Sequence, residues 1–126
     1  MALRTPIGRV RGLGSAKAGT EHWWMQRLTA VALLPLSAWF VVSMIVLAGA
    51  PHAEVAAWLA RPLNAVLALL TVVATFYHLQ LGLQVVIEDY VHHEGLKLFA
   101  LIGLKLASVA LAVAGSFAIL KVAFGG

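Results

Sequence analysis

The sequence predicts an all-α membrane protein with three transmembrane helices, and three observations support this prediction. Hydrophobic residues make up 62% of the 126-residue chain and charged residues 11%, and the mean hydropathy is +0.94. A soluble domain of this length could not bury so much apolar surface, whereas lipid covers it readily. The apolar residues form three long segments, and a cluster of basic residues precedes the first of them.

Each apolar segment exceeds the ~20 residues that a helix needs to cross the ~30 Å hydrocarbon layer of a bilayer. We expect helices over about 24–47, 63–88 and 97–124, because a spanning segment must satisfy its own backbone hydrogen bonds. Pro35 lies inside the first helix and can kink it. Residues 53–60 are expected to form a brief interfacial helix.

Residues 1–22 are basic and rich in glycine, and we expect them to form an extended tail on the cytoplasmic surface. Residues 23–126 then form the three-helix membrane domain. Much of the net charge of +4 lies beside the first hydrophobic segment, which indicates membrane topology rather than nucleic-acid binding. By the positive-inside rule the N-terminus is cytoplasmic, so an odd number of spans leaves the C-terminus on the outer side of the membrane.

Polar and small residues gather on one face of the second predicted helix. The spacings between them are four, three, four and seven residues, which is the periodicity of one helical face. A membrane helix turns such a face toward protein, a cofactor or a cavity rather than toward lipid. This polar stripe consists of Thr71, Thr75, His78, Gly82 and Asp89.

His78 lies near the middle of the stripe, where a neutral imidazole can ligate a metal through one nitrogen and hydrogen-bond through the other. One interpretation is a structural histidine that hydrogen-bonds a neighbouring helix. The other is axial ligation of haem iron, which Gly82 favours because it leaves clearance for a flat macrocycle one turn along the same face. The other four histidines lie at or beyond the membrane edges, so a six-coordinate haem would take its second ligand from another protein.

Residues near the cytoplasmic membrane surface complete the candidate set. Arg27, at the start of the first helix, has a planar fork that suits haem propionates, and the alternative is an arginine that only sets topology. Tyr90 can donate a hydrogen bond to a quinone carbonyl, with Asp89 or Glu88 orienting the tyrosine or a basic partner. The alternative for Tyr90 is an interfacial anchor.

These residues resemble a known family. The combination His78-x3-Gly82-x6-Asp89-Tyr90 on a second membrane helix resembles the small hydrophobic membrane-anchor subunit of succinate dehydrogenase, respiratory complex II, of the alphaproteobacterial type. The entry into the first helix, HWWMQRLTA at positions 22–30, resembles the same subunit, and so does the tail TPIGRVRGLGSAK. The resemblance therefore covers nearly the whole chain.

The resemblance implies that the chain pairs with a three-helix cytochrome b subunit and that the two hold one haem b between them. His78 matches the axial histidine, Arg27 matches an arginine near the propionates, and Tyr90, with Asp89 beside it, matches the tyrosine that hydrogen-bonds ubiquinone. The flavoprotein and iron–sulfur subunits are expected to dock on the cytoplasmic side of the bacterial inner membrane. Electrons from succinate would then pass through the clusters to quinone, linking the tricarboxylic acid cycle to the respiratory chain.

The chain contains no cysteine, which excludes cysteine-ligated iron–sulfur clusters on this chain. It also lacks a flavin motif, so we expect a non-flavin subunit of succinate dehydrogenase without a succinate-oxidising site, which positions a haem and a quinone. One alternative is a fumarate reductase anchor that runs the reverse reaction. Another is a haem-free structural scaffold in which His78 only packs, and a third is a small transporter, which the absence of an internal repeat disfavours.

Overall fold

The structure is a computed structural model that describes residues 15–125, with side chains described from residue 19 onward. All regular elements in this range are α-helices. They are α1 (Ser15–Leu47), α2 (His52–Leu59), α3 (Pro62–Tyr90) and α4 (Glu94–Ala123). Helices α1, α3 and α4 are long and apolar enough to cross a membrane. The predicted all-α membrane fold with three spans is therefore confirmed.

Helix α1 begins at Ser15, well before the predicted start near residue 24. The expected extended tail over residues 1–22 is therefore wrong for its last part, while residues 1–14 lie outside the described range. Alanine, lysine and glutamate in this stretch are good helix formers, and extending an existing helix costs little once it has nucleated. Hydropathy identifies the residue at which the chain enters the apolar layer. Helix α1 begins before that residue.

The connections follow their sequence signals. Helix α1 continues unbroken through Pro35, and Gly49 follows it with φ +80°, a left-handed conformation that suits glycine. Helix α3 starts on Pro62, where proline loses no intrahelical hydrogen bond. The short helix predicted over residues 53–60 is present as α2.

Trp58 joins helix α2 to the long helices α1 and α3 by a ring stack and a hydrogen bond. Trp58 stacks on Trp39 of α1, with 5.6 Å between ring centroids and 19° between ring planes. The side chain of Asn64, on α3, donates to the carbonyl of Trp58 at 2.9 Å. Trp58 therefore packs on protein, which an interfacial position alone did not predict.

Helix α3 is central, because it packs against both α1 and α4. Over the described part of the chain, the buried apolar side chains are only Leu36, Leu47 and Leu81. The bundle is one helix thick, so most apolar side chains point outward. Lipid or partner subunits must cover these surfaces, since no inner core is large enough to hold them.

Close contact between α3 and α4 depends on a glycine. A Cβ built at Gly115 would lie 3.2 Å from Cγ1 of Val72. We predict that Gly115→Val lowers the thermal stability of the membrane-extracted protein in its native assembly, by ~1–3 kcal/mol, because overpacking forces the two helices apart.

The matched control places the same substitution on a Val72→Ala background, where space is available. The double variant should unfold at a higher temperature than Gly115→Val alone. Equal unfolding temperatures for Gly115→Val and the unmodified protein would contradict this packing account.

Candidate functional site

The middle of the polar stripe on α3 faces helix α1. Nδ1 of His78 lies 2.9 Å from Oγ1 of Thr29, and a Cβ built at Gly82 would lie 3.7 Å from Nε2 of Gln26. The two helices therefore meet along a polar seam, with residues 26 and 29 of α1 opposite residues 82 and 78 of α3. The structure places Gly82 against a glutamine side chain, and its predicted role in haem clearance stays a prediction.

The contacts of the Thr29 hydroxyl favour one tautomer of His78. Oγ1 of Thr29 lies 2.8 Å from the carbonyl of Met25 and 3.1 Å from that of Gln26. A hydroxyl has one proton, so when it donates to these carbonyls it must accept from the ring. Nδ1 of His78 then carries the proton, and Nε2 keeps its lone pair.

The second nitrogen of His78 has the chemistry of a metal ligand. Nε2 forms no hydrogen bond with any residue that the structure describes. A neutral imidazole whose Nδ1–H is fixed by an oxygen acceptor is the arrangement found at histidine metal ligands, because the bond orients the ring and increases the basicity of the other nitrogen. His78 can therefore ligate a metal from the α1–α3 seam.

Two buried polar atoms near the start of α1 lack partners. Nε2 of His22 and Oε1 of Gln26 are buried and form no hydrogen bond with the described residues. They lie one helical turn apart on the same face of α1, and they line a cavity of about 490 Å³ together with Arg27 and Val85. Since buried polar atoms are nearly always hydrogen-bonded, this cluster is suited to a polar group supplied from outside the chain.

Arg27 is exposed and lies beside this cluster. Its guanidinium carbon is 5.2 Å from the centroid of the Trp23 ring, a cation–π distance that holds the side chain against α1. It forms no ion pair with a carboxylate among the described residues. Its donors therefore stay available to an anionic group.

Tyr90 and Asp89 lie at the end of α3, away from His78. Tyr90 is the last residue of the helix and is 76% exposed, and its phenol has no hydrogen-bond partner in the described range. Glu88 accepts from the side chain of Gln84 at 3.2 Å, so it does not orient Tyr90. Tyr90 lies twelve positions after His78, which corresponds to ~18 Å along a helix, so the structure does not bring them into one site.

One histidine of the connection before α4, His93, has a structural role. Nδ1 of His93 accepts from the backbone N–H of Leu96 at 3.0 Å, which caps the helix. In the first turn of α4, Nζ of Lys97 lies 3.9 Å from Oε2 of Glu94.

Sequence reasoning missed the α1 half of the seam. His22, Gln26 and Thr29 are spaced by four and three residues, the same period that identified the stripe on α3. The spacing is present in the sequence. However, three polar residues near one end of an apolar helix are also typical of a segment that lies in the membrane interface. The contact with His78 is what gives these residues a place in the candidate site.

Comparisons with known proteins agree with the motifs. A family model described as the succinate dehydrogenase/fumarate reductase transmembrane subunit matches residues 1–119. The succinate dehydrogenase hydrophobic membrane anchor subunit of Rickettsia bellii is 36% identical over 113 residues, which cover 89% of this chain and 90% of that relative. The same subunit of Paracoccus denitrificans is 33% identical over 90 residues, which cover 71% and 70%.

A relative of lower identity has a similar description. The succinate dehydrogenase membrane anchor subunit of Reclinomonas americana is 28% identical over 96 residues, covering 74% of this chain and 80% of that protein. No solved structure matches the chain significantly. The resemblance carried by residues 22–30 and 78–90 is confirmed, and the chain belongs to the succinate dehydrogenase/fumarate reductase transmembrane subunit family.

Proposed function

We propose that this chain is the hydrophobic membrane-anchor subunit of a bacterial succinate:quinone oxidoreductase. It supplies one axial ligand to a haem b shared with a cytochrome b subunit, and it contributes part of a ubiquinone site. It also anchors the flavoprotein and iron–sulfur subunits to the inner membrane. The observation that carries this proposal is the hydrogen bond from His78 to Thr29, which leaves Nε2 of the histidine available.

The residues around His78 fit a haem. Nε2 of His78 would ligate the iron and the partner subunit would supply a second ligand, because the other histidine within the described spans, His22, lies near the start of α1 and lines the cavity beside Arg27. Arg27 pairs with a propionate, and the unpartnered atoms of His22 and Gln26 receive polar groups at the same end. When bound, the haem supplies a one-electron redox centre inside the membrane.

Tyr90 contributes to the quinone site at the membrane surface. Its exposed phenol donates a hydrogen bond to a quinone carbonyl, and Asp89 lies beside it at the end of α3. The site is completed by partner subunits, because this end of α3 is open in the chain alone. Ubiquinone is therefore bound where the iron–sulfur subunit delivers electrons.

The orientation follows from the basic flank and the helix order. The start of α1 and the end of α3 lie at the same end of the bundle, since α1 and α3 each cross once and α2 joins their far ends. The positive-inside rule supports a cytoplasmic location for this end. Tyr90 then lies on the side where the soluble subunits dock, and the C-terminus lies in the periplasm.

One alternative is supported by the same hydrogen bond. A haem-free scaffold would use the bond between Thr29 and His78 only to hold α1 on α3, as interhelical polar bonds do in membranes. A fumarate reductase anchor is equally compatible with the family description, because redox potentials and the quinone set the direction of the reaction. Haem content separates the scaffold from the other two.

Replacing the axial ligand tests haem binding. His78→Ala should lower the haem content of the purified four-subunit complex several-fold, because one of two iron ligands is lost. The measurement is the absorption spectrum per complex, with subunit composition checked on the same sample. His52→Ala, an exposed histidine on α2, is the matched control and should keep the spectrum of the unmodified complex. An unchanged spectrum in His78→Ala would refute the ligand role.

Removing the phenol hydroxyl tests the quinone site. Tyr90→Phe should lower succinate–ubiquinone reductase activity roughly 2- to 10-fold, as expected for one lost hydrogen bond. Succinate oxidation with an artificial acceptor should not change, because that reaction does not use the quinone site. Tyr77→Phe, the other tyrosine of the chain, is the control. If Tyr90→Phe keeps full activity with ubiquinone, Tyr90 acts only as an interfacial anchor.

The absence of cysteine allows a direct test of topology. Phe124→Cys, at the exposed end of α4, should react with a membrane-impermeant maleimide in right-side-out vesicles. His92→Cys, between α3 and α4, should react only in inside-out vesicles. The reverse pattern would place the N-terminus in the periplasm and contradict the proposed orientation.

A further inference from the structure

We propose that Thr29 is a positioning residue for the haem ligand, and that its hydroxyl lowers the reduction potential of the haem by accepting a hydrogen bond from Nδ1 of His78. This inference rests on the proposed function, since it requires His78 to ligate iron. It adds a role for helix α1 that neither the sequence motif nor the family description provides.

The geometry places an acceptor directly at the ring. Thr29 is buried, with 7% of its surface exposed, and its Oγ1 lies 2.9 Å from Nδ1 of His78 on the neighbouring helix. The same oxygen is tied to α1 by its contacts with the carbonyls of Met25 and Gln26, at 2.8 and 3.1 Å. The acceptor is therefore held by the backbone of α1 in a buried position.

This arrangement fixes the ring in two ways. The bond selects the tautomer in which Nδ1 carries the proton, so that Nε2 presents its lone pair. It also limits rotation of the imidazole about its own side-chain bonds, because the donor must stay in line with an oxygen on another helix. The orientation of the ligand plane is then set by the register of α1 against α3.

The bond also changes the electronic character of the ligand. Hydrogen bonding from Nδ1–H to an oxygen acceptor raises the electron density on Nε2 and makes it a stronger donor. A stronger donor stabilises ferric iron relative to ferrous iron, and the potential of the couple falls. Hydrogen bonding to an axial ligand is one of the means by which proteins tune haem potentials.

The contact with His78 distinguishes Thr29 from the two threonines of the polar stripe on α3. Thr71 lies in the same stripe as His78, but its hydroxyl donates to the carbonyl of Leu67 on its own helix at 2.7 Å. Thr75 is exposed and makes no hydrogen bond with the described residues. Thr71 therefore provides a matched control: a stripe threonine whose loss does not touch the imidazole.

The test compares three variants of the purified four-subunit complex. Thr29→Val keeps the shape of the side chain and removes the hydroxyl, so the midpoint potential of the haem should shift to a more positive value. The low-spin ferric signal in electron paramagnetic resonance should shift with it, because the ligand plane and donor strength change together. Thr29→Ser keeps the hydroxyl and Thr71→Val keeps the bond, so both should retain the potential of the unmodified complex.

If Thr29→Val keeps its haem at a more positive potential while Thr29→Ser keeps the potential of the unmodified complex, the proposal stands. Loss of haem from Thr29→Val but not from Thr29→Ser supports its positioning part alone. If Thr29→Val retains haem with unchanged potential and spectrum, or if Thr29→Ser behaves like Thr29→Val, the hydroxyl has no such role and the proposal is overturned. Failure of the proposed function looks different: the unmodified complex would contain no haem, or His78→Ala would leave its haem unchanged.

Discussion

The hydrogen bond between Thr29 and His78 is the interaction on which the rest of the site depends. An imidazole within a membrane span must satisfy its polar nitrogens or lose several kcal/mol of solvation. Thr29 of helix α1 hydrogen-bonds Nδ1 of His78, and Nε2 has no partner among the described residues. The register of α1 against α3 that allows this bond also brings Gln26 opposite Gly82 and the turn of α1 that carries Arg27 to the same end of the seam.

The thinness of the bundle explains why such a chain functions only within an assembly. Its described residues enclose almost no apolar core, and two polar atoms, on His22 and Gln26, are buried without partners. In the proposed function the chain presents one half of each contact: one ligand nitrogen, one arginine and one tyrosine. Partner subunits and lipid provide the other half, which fits a family whose members are subunits of a larger enzyme.

Much of the fold could be predicted from sequence, because hydropathy and helical period act within one segment. The three spans, the short helix before Pro62 and the polar face around His78 were all found this way. The start of α1 at Ser15 was not, since polar residues in the interface can be helical without being apolar. The pairing of Thr29 with His78 was also missed, because the register between two helices depends on packing that a single period does not contain.

The most direct test of the central claim is an experimental map of the assembled complex at a resolution that shows the imidazole. The account predicts a porphyrin whose iron is bonded to Nε2 of His78 on one side and to a residue of the partner subunit on the other, with Nδ1 still hydrogen-bonded to Thr29. A map in which the ring of His78 contacts only lipid or protein, with no porphyrin beside it, would contradict the account.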